Sequence, residues 1–277
     1  MTGTPEPAAP AATAPAATVP AAAVPAWPGD WATDRLWRLI WFGPAHRGWE
    51  FGSYAGPALL DRAVGELPLH ASDRVLHLGS DGGETSRYLA LGVGCAVTAV
   101  EPDPVRRGHA RRRARALPPD VAARVRIAGS ASEGTSGPPF DRVLVLQPAR
   151  TGDDLATVLR QAALATRPGG RILLGELVHH GTGCPRGAAR DGLEVRLRQA
   201  GFGIPRSVDV TVEAADALRT AQLALIRRRH DALRHLPPSA ADQLLALILT
   251  AQADLREGRS RFWAVSATRT SPVAGRG

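Results

Sequence analysis

Lysine and asparagine are both missing from this 277-residue chain, so its 34 basic side chains are all arginine, set against 26 acidic ones. A net charge of +8 built from one residue type reads as coding bias, and the arginines are spread along the chain rather than gathered with aromatics. That distribution argues against a nucleic-acid recognition module and against a basic membrane-binding face. Cysteine is scarce as well. Cys95 and Cys184 stand alone and without metal-ligand spacing, which excludes a disulfide framework and a readable zinc site and fits a reducing compartment. No apolar run is long enough to cross a bilayer, so the expectation is a soluble cytoplasmic protein. Residues 1–26 are alanine, proline and threonine with almost no charge. They lack the basic start and unbroken apolar core of a secretory signal, and they bury too little surface to offset ordering entropy, so a disordered arm is expected there.

What is present is a core-forming chain, 44% apolar, organised around Asp73 to Ala90. Val75, Leu76 and Leu78, interrupted by His77, read as a parallel strand buried on both faces. Gly79, Gly82 and Gly83 follow as a turn where backbone can approach a ligand. Glu84, Thr85 and Ser86 then open a helix whose free N–H groups point back into that turn. Cys95 to Val100 is a second buried strand, ending in Glu101-Pro102-Asp103-Pro104. An acid about twenty residues beyond a glycine turn, at the tip of the second strand, is where α/β nucleotide folds place a carboxylate on ribose hydroxyls.

The arginine-rich helix that follows lacks aromatics and reads as a solvated face. Val125 to Ala128, Phe140 to Leu146 and Arg171 to about Val178 are further strands, separated by a helix from Asp153 to Ala165 and an Arg167-Pro168-Gly169-Gly170 turn. Leu193 to Ala200 is helical, Ser207 to Val212 alternates as a strand, and Phe262 to Ala267 is the last strand. Two helices, about 214–235 and 239–256, form an insertion before it. The sum is an α/β, Rossmann-like, doubly wound and mostly parallel seven-stranded sheet. The expected division is an arm (1–26), an aromatic cap or lid (27–66), a cofactor-binding core (67–212), a helical insertion (213–258), a final core strand (259–270) and a flexible tail (271–277).

Five of the six tryptophans fall between Trp27 and Trp49. Trp31, Trp37 and Trp41 have roughly helical spacing, which suits an amphipathic cap and equally an aromatic lid over a cationic or flat substrate. His46 lies in a Gly-Pro-Ala-His-Arg-Gly-Trp turn, and His179 and His180 follow the fifth strand, so these three are the candidate bases.

With these residues in view the chain resembles the class I S-adenosylmethionine-dependent methyltransferases, and within them the glycine, sarcosine and dimethylglycine N-methyltransferase type. The likeness rests on Val75 to Gly83 with Arg87-Tyr88-Leu89-Ala90, on Glu101, Phe140-Asp141, Arg167 to Arg171, Ile40-Trp41, His46-Arg47-Gly48-Trp49, Gly201-Phe202 and the 258–264 segment. It implies S-adenosylmethionine contacts at His77, Gly79, Ser80, Asp81, Gly83, Glu101, Pro102, Ser130, Ala131 and Gln147, with Trp41 and Trp49 enclosing a small-molecule substrate. Against the family pattern, His77 stands where the first strand usually carries an acid, Asp81 where the motif has its second glycine, and Ser130 where an acid usually takes the adenine amino group. The expected activity is methyl transfer to a nitrogen, oxygen or carbon of a small molecule, with no nucleic-acid or membrane partner; a homodimer is compatible with the sequence. The alternative is a methyltransferase fold working as a cyclase, an isomerase or a non-catalytic partner. A nicotinamide dehydrogenase is disfavoured, because Gly79-Ser80-Asp81-Gly82-Gly83 does not fit G-x-G-x-x-G.

Overall fold

The computed structural model describes residues 38–51, 56–146, 154–179, 188–232, 234 and 238–270. The 1–26 arm, Trp27, Trp31, Trp37, Gln147, His180 and the 271–277 tail lie outside the described residues, as does the side chain of His179.

Seven strands make one sheet: β1 (Arg74–Leu78), β2 (Ala96–Val100), β3 (Val125–Ala128), β4 (Phe140–Leu146), β5 (Thr166–His179), β6 (Arg206–Asp209) and β7 (Ser260–Thr268). Their order is β3-β2-β1-β4-β5-β7-β6. Strands β1 to β5 pair in parallel, while β7 lies antiparallel between β5 and β6. Parallel pairing requires crossovers, and helices supply them. Helices α2 (Glu84–Gly92), α3 (Pro104–Arg115) and α4 (Leu155–Ala165) lie in these crossovers; α1 (Gly56–Glu66) precedes β1, α5 (Ala188–Gln199) follows β5, and α6 (Thr211–Arg227) and α7 (Pro238–Arg256) are inserted between β6 and β7.

Alternation along the strands divides the core into two layers. Val75, Leu144, Leu173 and Phe262 pack with Leu59 and Leu60 of α1, Leu218 and Leu225 of α6, and Leu244 and Ile248 of α7. Leu76, Val143, Ile172 and Leu174 pack on the other face with Val158 and Leu159 of α4 and Leu193 and Leu197 of α5. Each such leucine contributes about 1.5–3 kcal/mol of burial. The insertion therefore packs on the α1 face of the sheet.

Local signals place the helix starts. Asp103 caps α3 by accepting from Val105 N and Arg106 N, both at 2.9 Å, with Pro104 in the first turn. Asp154 caps α4 in the same way, through Thr157 N at 2.9 Å. Helix α5 begins at Ala188 rather than Leu193 and β7 at Ser260 rather than Phe262, and three further boundaries differ from the expectation. The alternation from Ser207 does not continue as strand to Val212. Asp209 accepts from Thr211 N at 2.9 Å, and Thr211 Oγ1 accepts from Phe262 N at 3.0 Å, so the chain turns into α6 at once. That helix stops at Arg227 and is followed by a single turn, Arg229–Ala232. Arg167 to Gly170 are not a turn outside β5 but a bulge within it: the register jumps from Phe140↔Thr166 to Arg142↔Arg171, with Gly169 at φ 76°.

Candidate functional site

The site grows from the carboxyl ends of β1 and β2. Leu78 is level with Val100, and the chain then leaves the sheet with Gly79 N and Ser80 N both donating to Val100 O at 3.0 Å. Gly79, Asp81 and Gly83 all adopt left-handed backbone, at φ 72°, 52° and 80°. Gly83 opens α2, and a Cβ there would lie 2.8 Å from Ala110 Cβ of α3. Only glycine lets these helices approach while freeing the first-turn N–H groups of α2 to face the turn.

Glu101 sits at the tip of β2, 3% exposed. Its carboxylate accepts from Asp103 N at 2.9 Å and from the backbone N–H of Asp81, so it faces the glycine turn. Burial pushes its pKa up to about 7; the Asp103 N–H opposes that, the Asp81 charge adds to it, and Arg106 draws it back. Arg107 ties down the loop by donating to Glu101 O at 3.0 Å and Pro102 O at 2.8 Å.

His77 is 2% exposed, and burial lowers its pKa to about 4 against the opposing charge of Asp81, so its ring is neutral. Neither ring nitrogen has a hydrogen-bond partner among the described residues, and the same holds for the buried hydroxyls of Ser80 and Ser86. Buried polar atoms are ordinarily satisfied. These unsatisfied groups, together with the Glu101 carboxylate, make a polar lining suited to a ligand that both donates and accepts. A sugar diol meeting Glu101 has that chemistry, and the residues fit an adenosyl group.

Of the remaining expected contacts, Pro102 is exposed beside Glu101. Ser130 is exposed and caps the single turn Ala131–Gly134, accepting from Glu133 N at 3.2 Å. Glu133, which the sequence did not single out, reaches back to Gly129 N at 2.7 Å.

The described part of the cap packs its aromatics against one another and against the core. Trp41 lies in a π-helical turn, Arg38–Phe42, and is 4% exposed within the core. His46 is fully buried, 5.2 Å from the Trp41 ring centroid and flanked by Phe42 and Phe51. Trp49 stacks on Phe51 at 5.7 Å, meets Tyr88 edge-on, and has the Arg87 guanidinium 5.0 Å over its ring. Its cationic neighbour is thus a residue of α2.

Sequence reasoning also missed an ionic cluster joining this cap to the turn. Arg113 pairs with Glu50 at 2.6 Å and with Glu84, which also takes Arg87 at 2.9 Å. His109 lies 3.6 Å from Glu50; burial and the Arg113 charge lower its pKa, and Glu50 opposes them. The reading of α3 as a wholly solvated face is therefore corrected: Arg113, Arg106 and Arg107 all turn inward to partners. One arginine among six on a helix carries no signal of which way it points.

A sheet of this order, reversed at β7, with a glycine turn after β1 and an acid at the tip of β2, is the class I methyltransferase fold. Comparison with known proteins agrees. A curated relative, the 27-O-demethylrifamycin SV methyltransferase of Amycolatopsis mediterranei, is 31% identical over 146 residues, 53% of this chain and 52% of the relative. The chain thus spans about half the length of the curated relative it matches. Among solved structures, the cyclopropane synthase MmaA2 of Mycobacterium tuberculosis superposes with a TM-score of 0.70 at 14% identity, covering 86% of this chain and 95% of that one. Phosphoethanolamine N-methyltransferase 2 of Haemonchus contortus, in complex with S-adenosyl-L-methionine, gives 0.68 at 19% identity, covering 80% and 54%. No family model matches the chain.

Proposed function

We propose that the protein transfers a methyl group from S-adenosylmethionine to a nitrogen, oxygen or carbon of a small molecule. The observation that carries this is Glu101, a buried carboxylate at the tip of β2 turned onto the glycine turn beside unsatisfied polar atoms of β1 and α2. The cofactor supplies an electrophilic methyl on its sulfonium when bound. Glu101 accepts the ribose hydroxyls, the N–H groups at the start of α2 face the same crevice, and the cap excludes water. Orientation of this kind supplies several kcal/mol of a displacement barrier. The proton leaving the acceptor goes to the histidine pair that follows the fifth strand in the sequence, His179 or His180, since His46 is enclosed by Trp41, Phe42 and Phe51. The cytoplasmic setting and the small-molecule acceptor belong to the same proposal; among the described residues no helix is long and apolar enough to cross a membrane.

Calorimetry with S-adenosylmethionine and S-adenosylhomocysteine tests it. Micromolar binding is expected, with a loss of about 10–100-fold in Glu101→Ala, the worth of a charged hydrogen bond. No binding at millimolar ligand refutes the reading. His77 and Asp81 favour a second reading, in which the fold holds the cofactor but runs another reaction; binding without turnover over an amine and phenol panel would select it.

A further inference from the structure

Glu84 opens α2 directly behind the glycine turn and is 2% exposed. A carboxylate in the first turn of a helix suits the helix dipole, yet burying its charge demands cationic partners. Two arginines supply them: Arg87, one turn further along α2, at 2.9 Å, and Arg113 from α3. Both then run on to the cap. The Arg87 guanidinium lies 5.0 Å over the Trp49 ring, and Arg113 Nη2 reaches Glu50 at 2.6 Å. One buried carboxylate is thus joined, through two diverging guanidinium groups, to two successive residues of the cap.

Glu50 is itself buried, and His109, its other α3 neighbour at 3.6 Å, is pushed toward the neutral form by burial and by Arg113. Arg113 therefore carries the charge between the two carboxylates. Its Nη1 takes Glu84 and its Nη2 takes Glu50, and the planar fork fixes one against the other. Aromatic contacts run alongside. Trp49 and Phe51 both meet the Tyr88 ring edge-on, at 5.1 and 5.8 Å, and Tyr88 Oη donates to Asp61 of α1 at 3.0 Å. Gly83 of the turn backs onto Ala110 of the same α3 helix. Undocking the cap therefore takes one partner from each arginine that holds Glu84.

We propose that Glu84 is a positioning residue that couples docking of the cap segment 49–51 to ligand binding at the glycine turn, with Arg87 and Arg113 as the two links. This rests on the cofactor reading above and adds to it a reciprocal dependence. A ligand that settles the first turn of α2 tightens the cap, and a loosened cap weakens the ligand by the same factor. Neither Trp49 nor Glu50 has to touch the ligand for this to hold.

The test is calorimetry on the full chain with S-adenosylhomocysteine, paired with hydrogen-exchange mass spectrometry on the peptide covering residues 41–51. In the native chain the ligand is expected to slow exchange in that peptide. Glu50→Gln and Glu84→Gln should each weaken S-adenosylhomocysteine by about 5–20-fold, within the usual span of a coupling between sites, and each should abolish the ligand-induced protection. The double variant should bind no more weakly than the worse single one, because both changes break one linkage. Urea denaturation shows that each variant folds, and the exchange reading on either single variant suffices if the other does not. Native affinity in both variants despite lost stability, multiplied losses in the double variant, or protection of 41–51 persisting in Glu84→Gln overturns the coupling and leaves the cofactor reading in place. A native chain that does not bind S-adenosylhomocysteine overturns both.

Discussion

Glu101→Gln is expected to make the ligand-free protein more stable at alkaline pH while weakening its ligand binding, two opposite effects from one atom change. The carboxyl is 3% exposed and its pKa is raised from 4.5 to about 7, with burial the leading cause. A raised carboxyl pKa means that the folded state holds the proton more tightly than the unfolded one. Its stability contribution is therefore complete below pH 4.5 and is lost as pH rises through about 7. A rise from 4.5 to about 7 amounts to about 3 kcal/mol by pH 8. The amide escapes this loss but gives up one acceptor, facing either Asp103 N–H or Asp81 N–H, at about 1 kcal/mol. The net expectation is a gain of about 2 kcal/mol at pH 8 that disappears at pH 5, read by urea denaturation at both values. Binding should run the other way: if only the ionised form accepts ribose hydroxyls, S-adenosylhomocysteine affinity in the native chain falls about tenfold from pH 8 to pH 6, and the variant shows no such slope. A Glu101→Gln protein less stable than native at pH 8, or one with the same binding slope, refutes the reasoning.

Arg113→Met leaves Glu50 and Glu84 buried without their shared cation and should cost about 2–4 kcal/mol in urea denaturation, with most of it recovered when both acids are also made glutamine. Gly83→Ala drives a Cβ to within 2.8 Å of Ala110 at φ 80°, so a loss of about 1–3 kcal/mol is expected, partly restored by Ala110→Gly. Asp154→Ala removes the α4 cap and should lower stability by about 1 kcal/mol by the same measurement, without changing ligand binding.

The sheet was legible because its strands carry near-continuous apolar runs closed by glycine or proline. Strands β3 and β4 have the bounds their sequences imply, and Glu101 stands where its spacing put it. Alternation placed Ser207 to Asp209 in a strand and failed only from Val210 to Val212, because Asp209 and Thr211 form a helix entry that overrides a period-two pattern. How the cap packs was not legible for another reason: burial of Trp41 and His46 depends on where α6 and α1 pack, which local spacing cannot report. The Glu50–Arg113–Glu84 cluster joins three distant segments, and charge counting along one helix treats its arginines alike.

The late position of β7 carries a consequence for biogenesis. Residues 260–268 fill the slot between β5 and β6, so the parallel half of the sheet is synthesised with one flank of β5 uncovered and waiting. Until those residues clear the ribosome, that flank is open to mispairing with other chains. An interval in translation with an uncovered strand edge, closing only as the final strand slides home, follows from the order of the strands.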